Sequence, residues 1–241
     1  MNYFARVLEI VFPRSKTCLI CGHKVGSDIV CRPCREKIVS RHGLEVCPVC
    51  GRYLKSRPGN SFYQHCPECL SKPPAFSMAR SVGPYQGTLK EAIYLYKYSG
   101  HRSLSEFFGR LLTEVLLDEL TYGGQELLVP VPLSRQRMCI RGFNQSELLA
   151  TKMSQILNLP VVPCIERVVD TPRQSKLTGK ARRDSLKGAF RLKAFPGTGN
   201  VILIDDILTT GATAEECAIL LREAGANSIH VLTLASGIQE K

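Results

Sequence analysis

Four Cys-x-x-Cys pairs crowd into residues 18–69: Cys18/Cys21, Cys31/Cys34, Cys47/Cys50 and Cys66/Cys69. A turn of this kind offers two thiolates from one tight loop, and two such turns complete the four tetrahedral ligands of a zinc ion. Gly22 and Gly51 directly follow Cys21 and Cys50 and suit the positive φ at the end of a knuckle. Fifteen residues separate the last two pairs, the usual ribbon spacing, and nine separate the first two, a tighter ribbon. Sequential pairing gives two stacked zinc ribbons; crossed pairing uses the same ligands, and spacing alone does not choose. His23 and His65 adjoin the knuckles, but eight thiolates already suffice for two ions. The other three cysteines, Cys139, Cys164 and Cys217, are scattered. Residues 1–13 lack the basic start, long apolar stretch and small-residue cleavage site of a signal peptide. A cytoplasmic, reducing setting is therefore expected, where repeated pairs read as metal knuckles and not as disulfides.

The ribbon segment fixes the first boundary. It has few apolar runs and needs a metal staple, and Lys72-Pro73-Pro74 closes it with an extended linker. The expected units are a short helix over 1–17, a double zinc ribbon over 18–75 and an α/β domain over 76–241. In the first, Phe4, Val7, Leu8 and Val11 share a helical face, expected to pack on the protein itself. From residue 76 onward, strand-like and helix-like stretches alternate. Strands are expected at Ala79–Tyr85, Glu126–Val131, Val161–Val169 (broken by Pro163), Val201–Ile204 and Ser228–Leu234. Helices are expected at Leu89–Tyr98, Leu104–Leu120, Gln145–Leu157 behind an Asn144 cap, and Ala212–Ala224. Such alternation predicts an α/β fold: a mostly parallel sheet covered by helices on both faces. No apolar run reaches the ~20 residues that a membrane-crossing helix needs.

The most informative stretch runs Val201-Ile-Leu-Ile-Asp205-Asp206-Ile-Leu-Thr209-Thr210-Gly211-Ala212-Thr213. A buried strand ends in two adjacent carboxylates, and a turn rich in hydroxyls then opens a helix. Backbone N–H groups at a helix start, reinforced by Thr hydroxyls, form an anion site, and Gly211 allows close approach of the backbone. Two acids do not favour a bare phosphate, but they accept hydrogen bonds from vicinal hydroxyls. Phosphate and diol together describe a ribose 5-phosphate.

This run resembles the phosphoribosyl-pyrophosphate signature of type I phosphoribosyltransferases. Val129-Pro130-Val131-Pro132-Leu133, Arg141-Gly142-Phe143-Asn144-Gln145-Ser146 and Lys97-Tyr98-Ser99-Gly100 narrow the resemblance to the ComF family. So do Thr171, Gln174, Leu177, Arg182, Leu186 and Ala189-Phe190, together with the cysteine module, although Ser185 stands where members commonly carry Asn. The resemblance implies a type I phosphoribosyltransferase-like domain behind a double zinc ribbon, with a role in natural transformation and DNA uptake. It implies that Asp205 and Asp206 hold the ribose hydroxyls, that Thr209, Thr210, Gly211, Ala212 and Thr213 cradle the 5-phosphate, and that magnesium accompanies the pyrophosphate. Arg135, Arg137 and Arg141 follow the turn that would be the pyrophosphate loop. Arg182 lies in the loop expected to close over the site, and is assigned to catalysis beside the two acids.

The chain carries a formal charge of +11. Residues 167–187 alone hold seven Lys or Arg against Asp170 and Asp184. Such a loop suits pyrophosphate, and equally the phosphates of a single strand of DNA. Two functions are therefore expected to compete: a phosphoribosyltransferase with an unspecified acceptor, or a non-catalytic sensor of phosphoribosyl pyrophosphate. In the second, the ribbon and loop hold single-stranded DNA, a competence helicase or another DNA-processing protein, and a peripheral place at the inner face of the membrane is compatible with either.

Overall fold

The computed structural model describes residues 17–26, 28–41, 43–55, 65–120, 122–169 and 185–239. The helix expected over 1–17 and the body of the basic loop, including Arg182, lie outside the described residues. Four parallel strands form the central sheet: β3 (Met78–Pro84), β4 (Leu127–Pro130), β7 (Gly199–Leu208) and β8 (Ala226–Ser236), in the order β3-β8-β7-β4. Both faces of this sheet are covered, so its strands read as continuous apolar runs and not as alternating ones. Ile202, Ile204, Leu232 and Leu234 pack toward α3 (Gly87–Tyr98), α4 (Leu104–Glu119) and α6 (Gln145–Leu157). Val201, Leu203, Ile229 and Val231 pack on the opposite side with Ala214, Cys217, Ala218 and Leu221 of α7 (Ala212–Glu223).

The two inner strands run further than apolar periodicity suggests. Continued pairing with β8 (Asp205↔Thr233, Ile207↔Ala235, Leu208↔Ser236) carries β7 through both carboxylates. On its other side β4 stops at Pro130, the partner of Ile204, so Asp205 and Asp206 emerge where β7 has lost a neighbour. The strand expected over Val161–Val169 shrinks to β5 (Ile165–Arg167), which leaves the sheet and forms an antiparallel hairpin with β6 (Phe190–Leu192). Upstream of it, Val161 contributes only an isolated bridge to Leu128. Asn144 caps α6 as expected, its side chain accepting from Ser146 N at 3.1 Å.

The cysteines settle into two clusters by sequential pairing: Cys18, Cys21, Cys31 and Cys34, then Cys47, Cys50, Cys66 and Cys69, with the sulfurs of each within 4.8 Å of one another. Crossed pairing is thereby excluded. Helices α1 (Arg32–Val39) and α2 (Pro67–Ser71) begin inside the second knuckle of each cluster, and strands β1 (Leu44–Val46) and β2 (Tyr53–Lys55) form the hairpin between them. A final short strand, β9 (Ile238–Gln239), pairs in parallel with β2 and ties the far end of the described chain to the ribbon.

Candidate functional site

Four zinc-bound sulfurs at ~2.3 Å from the metal sit about 3.8 Å apart. Cys21 and Cys31, and likewise Cys50 and Cys66, approach to 3.6 Å. Backbone N–H groups donate to Cys18 Sγ and Cys47 Sγ, each at 3.4 Å, as a thiolate requires. Gly22 and Gly51 adopt φ of 76° and 65°, as the knuckle turns demand. Arg52 is buried beside the second cluster and donates to Cys50 Sγ at 3.4 Å and Cys66 Sγ at 3.5 Å, so its cation offsets the excess negative charge of a tetrathiolate site. Both clusters therefore fit structural zinc. His23 lies 3.3 Å from Cys21 Sγ and is not part of the cluster.

The second site opens beyond the carboxyl ends of β4 and β7, where open parallel sheets place their ligands. Gly211, with φ 77°, turns the chain from β7 into α7. A Cβ at this glycine would meet no atom within 4 Å, so the backbone conformation, and not lack of space, demands the glycine. Thr210 Oγ1 accepts from Ala212 N at 3.4 Å and closes the turn. Just upstream, Asp205 Oδ1 accepts from Asp206 N at 2.7 Å and from Ser146 Oγ at 3.2 Å. Burial, reinforced by the neighbouring charge of Asp206, pushes the Asp205 carboxyl up to about 7. Asp206 faces cations: Lys97 Nζ lies 2.8 Å from its Oδ2 and Arg141 Nη1 lies 3.9 Å away. Arg141 is held in turn by Gln145 Oε1 at 2.8 Å and Tyr98 OH at 3.0 Å.

These groups surround a cavity of about 890 Å³. Among the residues assigned from sequence, Asp205, Asp206, Thr209, Thr213, Arg137 and Arg141 line it. Thr210, Gly211 and Ala212 line a small recess that shares Asp205, Thr209 and Thr213 with the main cavity. Arg135, in the first turn of α5 (Arg135–Arg141), is not on the cavity wall. Sequence reasoning passed over Lys97, Ser146 and Tyr94. Lys97 and Ser146 enter the sequence reading only as members of family runs. Tyr94 and Tyr98 stand four apart on α3, a spacing that puts both on one helical face.

A parallel sheet with two acids at a strand end, followed by a Thr- and Gly-bearing turn into a helix, defines a type I phosphoribosyltransferase-like α/β domain, here carrying a double zinc ribbon. Residues 7–70 match the family model of the double zinc ribbon domain. The chain is 33% identical to competence protein F of Haemophilus influenzae over 85% of this chain and 96% of that protein. It is 33% identical to the DNA utilization protein YhgH of Escherichia coli K12, over 85% of this chain and 89% of that protein. To competence protein ComFC of Bacillus subtilis the identity is 30%, over 90% and 93%. The chain belongs to the ComF family. Against solved structures the overlap is partial. Leishmania donovani UMP synthase gives a TM-score of 0.37 at 17% identity, over 61% of this chain but only 24% of that one. Adenine phosphoribosyltransferase of Saccharomyces cerevisiae gives 0.32 at 19%, over 58% and 76%.

Proposed function

We propose that the cavity binds phosphoribosyl pyrophosphate with magnesium, and that the protein is a phosphoribosyltransferase acting in natural transformation and DNA uptake. One observation carries this reading: a carboxylate pair and both ends of the helix-opening turn, Thr209 and Thr213, meet in one cavity with Lys97, Arg137 and Arg141, and the rest of the turn lines the recess beside it. In this reading Thr209 to Thr213 hold the 5-phosphate through backbone N–H groups and hydroxyls. Asp205 and Asp206 accept from the ribose diol. Arg137 and Arg141 face the pyrophosphate, whose charge magnesium helps to neutralise. Transfer breaks the bond between the anomeric carbon and pyrophosphate as an acceptor's lone pair forms the new one. The carboxylates stabilise the cationic ribose that develops, and pyrophosphate leaves toward the arginines. The catalytic role that the resemblance implies for Arg182, which lies outside the described residues, belongs to the same reading.

The names of the relatives, which describe competence and DNA utilization, favour a second reading. In that reading the same pocket senses phosphoribosyl pyrophosphate while basic surfaces hold single-stranded DNA or a DNA-processing partner. Calorimetric titration with the magnesium complex tests the pocket common to both. Asp206→Ala and Thr210→Val are each expected to lower affinity roughly ten- to a hundredfold, the loss of a hydrogen bond to a charged group. Wild-type affinity in both folded variants would sink the pocket. Pyrophosphate release with a panel of nucleobases and amines then separates enzyme from sensor: acceptor-dependent release selects the first, binding without release the second.

A further inference from the structure

The two cysteine clusters share one ligand set and one sulfur–sulfur approach, 3.6 Å from Cys21 to Cys31 and from Cys50 to Cys66. Their surroundings differ. All four cysteines of the second cluster are buried. In the first, Cys18 and Cys34 are buried, Cys31 is half-buried and Cys21 is exposed. The contrast continues along the knuckles. Cys50 is followed by Gly51, Arg52, Tyr53 and Leu54, all buried, and Cys21 by Gly22, His23 and Lys24, all exposed. Contacts with the rest of the protein explain this. Gly51 lies against the Ala79 carbonyl, its own carbonyl accepts from Ser236 Oγ at 2.8 Å, and Tyr53 N donates to Gly237 O at 3.1 Å. At Gly22, by contrast, a Cβ would meet no atom within 4 Å.

Charge separates the clusters further. Four thiolates around one zinc ion leave an excess of negative charge on sulfur, and it is the thiolate that reacts with oxidants. In the second cluster the buried Arg52 donates to Cys50 Sγ and Cys66 Sγ and draws electron density from both. Among the described residues no Lys or Arg side chain donates to a sulfur of the first cluster, where Cys21 Sγ has the His23 ring, Nδ1 at 3.3 Å. Cys21 is thus a metal-ligating sulfur that is open to solvent and undamped by a fixed cation. Oxidation concentrates on thiolates of that kind.

We propose that the first cluster is an oxidation site, at which an oxidant of the peroxide class joins Cys21 to Cys31 and expels the zinc ion while the second cluster stays intact. The Cys21 thiolate attacks one peroxide oxygen, the O–O bond breaks and hydroxide leaves, so that Cys21 becomes a sulfenic acid. The Cys31 thiolate then attacks that sulfur, the S–O bond breaks and a second hydroxide leaves. Two thiolates give up two electrons and the peroxide takes them. A disulfide holds its sulfurs ~2.05 Å apart, so Cys21 and Cys31 must close by about 1.5 Å, a movement that the open knuckle at Gly22 permits. Cys18 and Cys34 alone do not complete a tetrahedral site. The same closure of Cys50 on Cys66 would have to shift the buried run Gly51–Leu54 against Ala79, Ser236 and Gly237.

The experiment treats the zinc-loaded full chain with hydrogen peroxide, in a Cys139→Ser background because Cys139 is also exposed. Released zinc is followed with a metallochromic dye, and thiols and disulfides are located by alkylation and mass spectrometry. Zinc is expected to leave in two phases, the first amounting to one of the two ions. At the end of that phase Cys21 and Cys31 are joined, and Cys47, Cys50, Cys66 and Cys69 are still reduced. A dithiol reductant should then restore binding of the lost ion. Cys21→His keeps a fourth zinc ligand without the exposed thiolate, so the first phase should be lost. Release of both ions in a single phase, oxidation that begins in the second cluster, or a first phase that survives in zinc-loaded Cys21→His would overturn the proposal. If Cys21→His fails to hold zinc, the disulfide mapped in the parent protein decides. A Cys21–Cys31 bond with the second ion retained upholds the site, and any other first pair overturns it.

Discussion

If Asp205 accepts hydrogen bonds from the ribose diol, ligand affinity must depend on its ionisation, and burial places that ionisation close to neutral pH. Its carboxyl is raised from an ordinary 3.8 to about 7, by burial first and then by the adjacent charge of Asp206. With a midpoint near 7, about a tenth of the protein carries an ionised Asp205 at pH 6 and about nine-tenths at pH 8. If only that fraction is competent, affinity for phosphoribosyl pyrophosphate rises about tenfold over the interval. The stability of the ligand-free protein runs in the opposite direction. The native state keeps a proton that the unfolded chain releases near 3.8, so the contribution of Asp205 to stability falls as pH rises from about 4 to about 7. The ligand's own phosphates, with a last pKa of about 6, add a slope common to every variant. The measurement is therefore calorimetric titration at pH 6, 7 and 8 on wild type and Asp205→Asn, read as the difference in slope. Lys97 holds the Asp205 carboxyl down, so Lys97→Met should move the wild-type midpoint upward. Identical pH profiles in wild type and Asp205→Asn would refute the assignment.

Metal analysis of dialysed, reduced protein should return two zinc ions per chain, and Cys47→Ser should lose one and lower the melting temperature; full metal retention by that variant would contradict the second cluster. Gly51→Ala should destabilise by roughly 2–4 kcal/mol, because a left-handed conformation costs ~1–2 kcal/mol and its Cβ must displace the Ala79 carbonyl; equal effects of Gly51→Ala and Gly22→Ala in thermal melts would show that this contact carries nothing. Single-stranded DNA should bind with an affinity that falls steeply with salt and varies little with sequence; a salt-independent affinity in fluorescence anisotropy would rule out phosphate contacts as its source.

What could be read in the sequence was what is local along the chain. The turn Thr209-Thr210-Gly211-Ala212-Thr213 is five consecutive residues, and its geometry follows from their types. The Cys-x-x-Cys knuckles and the Asn144 cap are local in the same way. Pairing between distant segments leaves no such trace. The extension of β7 through Asp205 and Asp206 depends on β8, and β9 is a strand only because β2 lies beside it. Lys97, Arg141, Ser146 and Asp206 come from three helices and a strand, and nothing in their spacing announces that they converge. The two acids and Arg141 are legible in the sequence, but the placement of Lys97 against Asp206 is not.

The ribbon also answers a problem the sheet would otherwise have. β3 is an edge strand, and an uncovered parallel edge offers a row of unpaired N–H and C=O groups. The Cys47/Cys50 knuckle meets that edge directly: Ala79 N donates to Val49 O at 2.8 Å, and the Arg80 side chain reaches Pro48 O at 3.0 Å. Gly51 comes so near that a Cβ there would sit 2.3 Å from Ala79 O. Further along, Tyr53 OH and Arg41 both donate to Ser81 O, at 3.4 and 3.3 Å. The cysteines themselves divide between the two faces of the sheet. Cys18 and Cys34 join the apolar cluster that contains Ile202 and Ile204, and Cys47, Cys50, Cys66 and Cys69 join the one that contains Val201 and Leu203. A metal-stapled segment with little core of its own thus borrows core from both sides of the sheet and closes its edge in return. The coupling reaches the ligand turn as well. Ala75 N, at the end of the ribbon segment, donates to Glu215 Oε2 at 2.8 Å, and the Glu215 N–H bonds Gly211 O at 2.8 Å. The segment that follows the second cluster is thus bonded to the first turn of α7, which opens directly behind Gly211.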